Sequence, residues 1–182
     1  MEKIIKNGIT YFHDRGAIYS VDPPTAHFNL SEWSMEVPPF KPEHLLILGC
    51  AGNTVAKLVK IIHGDVPMVG VDVQESEPVE GLKFYLSDAE QFLKTCTDQF
   101  DCVIVDIFEG ATIPRIARTQ EFAELLAKVC TRLLIFHTSG EDILPVYEKY
   151  FFLLHDKAYK GTNIYYMSRG GRDDSLRIPR DI

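Results

Sequence analysis

From about residue 44 onwards, short apolar runs rich in β-forming residues alternate with segments that have helical spacing. Near-continuous apolar runs are typical of strands that helices cover on both faces of a sheet. Strands that alternate with helices form βαβ units, so the pattern predicts an α/β fold with a doubly wound, mostly parallel sheet. The predicted strands are 44–49, 68–73, 82–86, 100–107, 132–138, 150–155 and 162–168, which makes the sheet seven-stranded.

Several of the intervening segments have the periodicity of amphipathic helices. In the first, an apolar face is followed by Gly64, which marks the end of the helix; the residues of that face are Val55, Leu58, Val59 and Ile62. In the second, Asp88 stands at the position of a capping residue. The predicted helices are 54–63, 88–96, 119–132 and 142–150.

The two ends of the chain depart from the βαβ pattern. Residues 156–161 are too few for a helical crossover, so the last two strands are predicted to form a terminal antiparallel hairpin at the edge of the sheet. Before residue 40, short β runs are broken at Asn7-Gly8 and Arg15-Gly16, which are typical of β-turns. We therefore divide the chain into a small N-terminal β appendage with a Pro-rich connector (1–40), an α/β domain (41–170) and a flexible tail (171–182).

Small or acidic residues follow each of the first four strands of the α/β domain. Ligands of doubly wound sheets bind beyond the carboxyl ends of the strands, so these residues are candidates for a binding site. The small residues of the first turn allow close backbone approach and present amide groups at the start of a helix. The residues concerned are Gly49, Cys50, Ala51, Gly52 and Asn53 after the first strand, Asp72 and Val73 after the second, Asp88 and Ala89 after the third, and Asp106 and Glu109 after the fourth.

Each of these positions also has a purely structural interpretation. The glycine turn could be a tight turn without a ligand, Asp88 could only cap the next helix, and Asp106 could only end its strand. A carboxylate accepts hydrogen bonds from both hydroxyls of a ribose, which suits Asp72, and a carboxylate at Asp88 could accept from the amine of an adenine. Taken together, the four strand ends predict a nucleoside pocket.

The motifs resemble those of the class I S-adenosylmethionine-dependent methyltransferase fold, and within it the spermidine synthase-like branch, over roughly residues 40–170. Residues 100–106 are similar to the fourth strand of that family, Thr119–Phe122 to a helix start, and Asn163–Tyr166 to the last strand. The resemblance implies S-adenosylmethionine, or its decarboxylated or thioether form, as the cofactor. It implies cofactor contacts from Gly49, Cys50, Ala51, Gly52, Asn53, Asp72, Val73, Asp88, Ala89 and Asp106.

The resemblance further implies a transferase that moves a methyl or aminopropyl group to a small acceptor, for which an amine is one candidate. An amine acceptor must lose a proton, and we assign the general base to Asp106, with Glu109 second. Tyr19, His27 and Trp33 are candidates for a lid over this site.

Two other functions remain open. The family's glycine turn and its D-x-x-D motif are altered here to Ala51, Asn53 and Glu109, which favours a catalytically inactive homologue that serves as a dimerising or regulatory binding module. A nicotinamide-dependent dehydrogenase is the third option, although such domains normally end on a parallel strand instead of a hairpin.

The net charge and the distribution of apolar residues limit which partners and which cellular compartment we expect. A net charge of −7 argues against a large basic surface for nucleic acid. No apolar stretch approaches the ~18 residues of a spanning helix, and the first residues lack a secretory signal pattern, so we expect a cytoplasmic protein without a membrane partner.

The histidines lack metal-ligand spacing such as HxxxH, so no metal is expected, and His137 is the one nearest the predicted pocket. A homodimer is a candidate assembly: Tyr165 and Tyr166 of the terminal hairpin belong either to the core or to an interface, and exposure of either at the edge of the sheet would indicate a dimer.

Overall fold

The computed structural model describes residues 1–14, 16–26, 32–176 and 178; Arg15 of the second predicted turn and His27 of the predicted lid lie outside these residues. The strands are β1 (Glu2–Lys6), β2 (Ile9–Asp14), β3 (Ala17–Asp22), β4 (Leu45–Leu48), β5 (Met68–Asp72), β6 (Leu82–Leu86), β7 (Phe100–Val105), β8 (Cys130–Thr138), β9 (Phe151–Tyr159) and β10 (Thr162–Arg169). The α-helices are α1 (Glu32–Met35), α2 (Thr54–His63), α3 (Ala89–Thr95), α4 (Gln120–Val129) and α5 (Leu144–Tyr147), and a 3-10 helix spans Arg115–Arg118.

The predicted doubly wound sheet is confirmed. Seven strands form one sheet in the order β6-β5-β4-β7-β8-β10-β9, with β4 to β8 parallel and the last two strands antiparallel. The strand order reverses between β4 and β7, since β4 pairs with β5 on one side and with β7 on the other. This reversal is the position at which such sheets bind ligands.

The central strands of the sheet are buried on both faces, as their apolar runs predict, whereas the edge strands β6 and β9 are partly exposed. Along β4, Leu46 and Leu48 pack with α3, α4 and α5, whereas Leu45 and Ile47 pack with α1 and α2 on the other face. Successive residues of a strand point to opposite faces, and all four of these side chains are buried. Both faces of β4 are therefore covered.

The terminal hairpin is present, but its strands run further than predicted. The connection is only Lys160-Gly161, with φ values of 48° and 89°, which is the positive-φ pattern of a tight two-residue hairpin turn. The inner strand of the hairpin, β10, pairs with β8, so Tyr165 and Tyr166 are buried in the core. These two tyrosines therefore do not provide the exposed surface on which the dimer expectation rested.

Two helix boundaries were predicted wrongly. The helix predicted over 119–132 ends at Val129, because Cys130 is extended and already pairs with Phe100 of β7. The helix predicted over 142–150 is reduced to the single turn of α5, in which Asp142 caps the N–H of Leu144. Sheet pairing in the first case, and the return of the chain into β9 in the second, override the helical spacing of the sequence.

The N-terminal appendage is a three-stranded antiparallel sheet, β1-β2-β3, docked on the start of α2. The hydroxyl of Thr54 accepts from the N–H of Val21 at 2.8 Å and donates to its carbonyl oxygen at 2.9 Å. Lys57 pairs with Asp22 at 2.9 Å beside this contact. Among the residues that the structure describes, no helix has the length and apolar composition needed to cross a bilayer.

Candidate functional site

The carboxyl ends of β4, β5, β6 and β7 border an open cleft whose empty volume, open solvent included, is about 890 Å³. Part of its wall comes from the N-terminal sheet, through Asp14 and Tyr19, which fixes the cleft between the appendage and the α/β domain. The cleft brings together these predicted site residues: Gly49, Ala51, Asp72, Val73, Asp88, Ala89, Asp106 and Glu109.

Gly49 lies where β4 and β7 separate. The N–H of Gly49 donates to the carbonyl oxygen of Val71 at 2.9 Å, and the N–H of Asp106 donates to the carbonyl oxygen of Leu48 at 2.8 Å. With φ at +89°, a Cβ on Gly49 would lie 2.0 Å from the carbonyl oxygen of Asp106. Glycine is therefore required here by the close approach of two backbones at the floor of the cleft.

The turn after β4 is held by the carboxylate of Asp72. Its Oδ2 accepts from the N–H groups of Cys50 and Ala51 at 2.7 and 3.0 Å, and Oδ1 accepts from the N–H of Gln74 at 2.9 Å. A carboxylate has about four acceptor positions, so Oδ1 can still accept a hydrogen bond from a ligand. Asp72 thus orders the turn and also presents an acceptor to the cleft.

Two of the residues in this turn adopt positive φ without being glycine. Ala51 has a φ of 44° and Asn53 a φ of 63°, in the left-handed region that asparagine tolerates better than most residues. The turn therefore has, at two positions without glycine, the left-handed backbone that glycine adopts most readily.

Three of the predicted cofactor residues do not line the cleft. The thiol of Cys50 is buried beneath the turn, and burial raises its pKa. A Cβ on Gly52 would lie 2.5 Å from the ring of Phe12, so this glycine allows the N-terminal sheet to dock. Asn53 is buried, and its Nδ2 donates to Ser76 Oγ at 2.6 Å. These three residues therefore stabilise the turn and its surroundings instead of lining the cleft.

Asp88 is an exposed residue of the cleft wall that also caps α3. Its Oδ1 accepts from the N–H groups of Glu90 and Gln91 at 2.8 and 3.2 Å, as predicted for an N-cap. The neighbouring Ala89 lines the same part of the cleft with a small side chain. The two interpretations of Asp88 are therefore compatible in this geometry.

At the deep end of the cleft, Asp106 contacts a buried histidine and a buried glutamate. His137, in β8, places its Nδ1 2.9 Å from Asp106 Oδ1 and 3.1 Å from Glu36 Oε1. One ring nitrogen carries one hydrogen, and it is directed to Asp106, so the contact with Glu36 is a charge contact without hydrogen-bond geometry. The ring of Phe108 packs edge-on against the imidazole, with ring centroids 4.9 Å apart.

The three groups shift one another's pKa. Burial, and then the charge of Asp106, raise the pKa of Glu36 to about 8. Burial would lower the pKa of His137, but the contacts with Asp106 and Glu36 outweigh it and raise that pKa to about 10. Burial also raises the pKa of Asp106, against the opposing effect of His137.

Glu36 is the site residue that the sequence analysis missed. It follows α1, where the hydroxyl of Tyr166 donates to the carbonyl oxygen of Met35 and the N–H of Glu36 donates to that of Trp33 at 3.3 Å. The available signal was a single acid within the otherwise apolar stretch Trp33–Phe40, but its partners are 70 and 101 residues away along the chain (36 to 106 and 36 to 137).

Of the other residues predicted around the cleft, Glu109 and Tyr19 line it and Trp33 does not. Glu109 is an exposed cleft residue in the loop after β7, where its N–H donates to the carbonyl oxygen of Thr112 at 2.8 Å. Tyr19 lines the cleft, and its hydroxyl donates to the carbonyl oxygen of Gly110 at 2.8 Å. Trp33 is buried against α2 instead of covering the cleft, because its apolar ring completes the core on that face.

Comparison with known proteins finds no matching family model and no matching curated sequence. Among solved structures, the chain is similar to a probable spermidine synthase from Corynebacterium glutamicum, with a TM-score of 0.69 and 16% identity over 94% of this chain and 77% of that one. It is also similar to human methyltransferase-like protein 13 in complex with SAH, with a TM-score of 0.63 and 13% identity over 88% of this chain and 95% of that one.

A third similar structure is a spermidine synthase in complex with the transition-state analogue AdoDATO, with a TM-score of 0.56 and 16% identity over 91% of this chain and 70% of that one. Sequence identity this low carries the fold and no more. The strand order, the terminal hairpin and these similarities agree: the chain has the fold of the class I S-adenosylmethionine-dependent methyltransferases and spermidine synthases.

Proposed function

We propose that the chain binds S-adenosylmethionine or its decarboxylated form in the cleft and transfers a methyl or aminopropyl group to a small acceptor. The observation that carries the proposal is the convergence of the Gly49 turn with the acids Asp72, Asp88 and Asp106 around one open volume of about 890 Å³. Similar structures were solved with SAH and with AdoDATO, which are ligands of the same chemical class.

The residues of the cleft fit such a nucleoside in two places. Asp72 retains an acceptor for a ribose hydroxyl, and Asp88 with Ala89 forms an exposed acid and a small side chain for the base. Cleft acids also favour a positively charged ligand such as a sulfonium. When bound, the sulfonium supplies the activated group, and the chain has to orient the acceptor and remove its proton.

Asp106 and Glu109 lie where the acceptor would approach. We assign the proton-removing role to Asp106, with Glu109 second, because both line the same wall of the cleft. The raised pKa of Asp106 makes its carboxylate a stronger base than an exposed aspartate.

Titration calorimetry with S-adenosylmethionine and with its decarboxylated form tests the proposal. Asp72→Ala should weaken binding by about 1.5–3 kcal/mol, roughly 10- to 150-fold, because it removes a charged acceptor and the anchor of the turn. Asp65→Ala is the matched control, since Asp65 is an exposed acid beyond the opposite end of β5. Its affinity should equal that of the wild type.

Two results would contradict the proposal. One is the absence of heat with either compound while thermal unfolding shows an intact fold. The other is equal affinity for Asp72→Ala and Asp65→Ala, which would move the ligand away from the cleft.

A further inference from the structure

We propose that Glu36, Asp106 and His137 form a binding site for one divalent first-row metal ion, for which Mn²⁺ and Zn²⁺ are the candidates. Each residue offers one ligand atom, and the three atoms all lie within 4.8 Å of one another. The inference goes beyond the proposed transferase function and does not depend on it, because it rests on the geometry of these three side chains.

The spacing of the ligand atoms matches a coordination sphere. His137 Nδ1 lies 2.9 Å from Asp106 Oδ1 and 3.1 Å from Glu36 Oε1. Two ligand atoms that are each about 2.1 Å from a shared ion are about 3.0 Å apart at right angles and about 3.4 Å apart in a tetrahedron. The two distances from Nδ1 therefore fit an ion that the imidazole shares with each carboxylate.

The buried carboxylate of Glu36 independently points to a cation. Its side chain is 0% exposed, and among the described residues neither of its oxygens has a hydrogen-bond partner. His137 gives this carboxylate a charge contact but no hydrogen bond. A buried carboxylate without hydrogen bonds costs free energy, which a divalent ion held by two carboxylates and a neutral imidazole would offset. On metal binding, His137 would release the proton of Nδ1 to solvent and coordinate through that nitrogen.

The donor set and its position define the class of ion. Imidazole favours zinc and related transition metals, and carboxylates favour harder ions such as manganese, so the mixed set favours ions between these extremes. Asp106 is 14% exposed and lines the cleft, which gives the ion a path from solvent. Three protein ligands leave coordination positions open to water or to a molecule in the cleft. In a metal-bound form, Glu109 is the acid that remains to take a proton from an acceptor.

The test uses the full chain after dialysis against EDTA, titrated with Mn²⁺ by electron paramagnetic resonance and with Zn²⁺ by calorimetry. We expect one ion per chain, and Glu36→Gln should weaken binding at least about 100-fold, because it replaces a charged ligand with a neutral amide of the same shape. The control is Glu32→Gln, which removes an acid from the same short helix but no ligand atom of the cluster. Its affinity should change by no more than about fivefold, since the charge of Glu32 acts on Glu36 and Asp106 only through space and makes no bond to the ion.

Each contrary result is decisive. The proposal fails if the wild type binds neither ion, or if Glu36→Gln binds as tightly as Glu32→Gln while both variants unfold thermally at the wild-type temperature in EDTA. His137→Gln provides a second measurement if Glu36→Gln does not fold, and retained binding in that variant would also overturn the site. Calorimetry with S-adenosylmethionine in EDTA is a separate readout, so failure of the metal site and failure of the nucleoside function are distinguishable.

Discussion

Several residues at or beside the cleft have a structural role that explains their residue type without any ligand. Asp72 accepts three backbone hydrogen bonds, Asp88 caps α3, and Gly52 makes room for Phe12. A sequence motif for a nucleoside turn is therefore partly a motif for the turn itself. The residues with the weakest structural explanation are Glu36 and His137. Both carboxylate oxygens of Glu36 and Nε2 of His137 are buried and lack hydrogen-bond partners among the described residues.

Gly49 gives a direct test of backbone approach at the residue scale. Gly49→Ala should lower the free energy of unfolding by about 3–5 kcal/mol, because it combines positive φ with a Cβ 2.0 Å from the Asp106 carbonyl oxygen. Gly161→Ala is the control, since it has the same φ of +89° and nothing within 4 Å of the added Cβ. Gly161→Ala should lower the free energy of unfolding, measured by urea denaturation, by only about 1–2 kcal/mol. Equal losses would show that the contact with Asp106 is not the cause.

At the scale of elements, turns and pairing set where strands begin and end. The two-residue turns Asn7-Gly8 and Lys160-Gly161 both have positive φ at both positions, which fits the right-handed twist of the strands they join. The first has the sequence most favoured for such turns, and it was predicted. The second has lysine at its first position, and the hairpin loop was predicted too long.

Lys160→Asn should therefore stabilise the terminal hairpin. Asparagine tolerates positive φ better than lysine does, and we expect a gain of about 0.5–1 kcal/mol in the free energy of unfolding. Lys160→Val should have the opposite effect, because a β-branched residue is strained at a φ of 48°. Both variants lose the contact of the lysine with the Tyr159 ring, so their difference in urea denaturation isolates the backbone contribution. A valine variant as stable as the asparagine variant would contradict this account.

At the scale of the whole molecule, the cleft exists because the N-terminal sheet is docked on the α/β domain. Thr54 joins the two through hydrogen bonds to both backbone groups of Val21 and to the hydroxyl of Ser20. Asp14 and Tyr19 then form part of the cleft wall. The appendage is thus part of the candidate site as well as an extension of the fold.

Thr54→Val should loosen this docking. The variant keeps the shape of the buried side chain but leaves the N–H of Val21 without its acceptor, which should cost about 1–3 kcal/mol. Hydrogen exchange should rise in β1, β2 and β3 and stay unchanged in β4 and β7. Thr95→Val, at an exposed position of α3, is the matched control and should leave exchange in the N-terminal sheet unaltered. Uniformly faster exchange across both sheets would instead mean that the two parts unfold together.

Most of the fold was predictable from the sequence because periodicity is a local property. The apolar runs of β4 to β8 and the caps at Asp88 and Thr119 depend on residues within a few positions of one another, so the presence of these strands and the helix starts followed from them. The boundaries that failed, at Cys130 and around α5, depend on pairing with distant strands. Local spacing contains no information about such pairing.

The sequence by itself determined the α/β class, the terminal hairpin and the cleft acids Asp72, Asp88 and Asp106, because the ends of parallel strands meet at one edge of the sheet. Only the tertiary structure decided that Cys50, Gly52 and Asn53 support the turn from outside the cleft. It also decided that Glu36 meets His137 and Asp106. These contacts join parts of the chain up to 101 residues apart (36 to 137), and burial gives them their chemistry by removing water from charged groups.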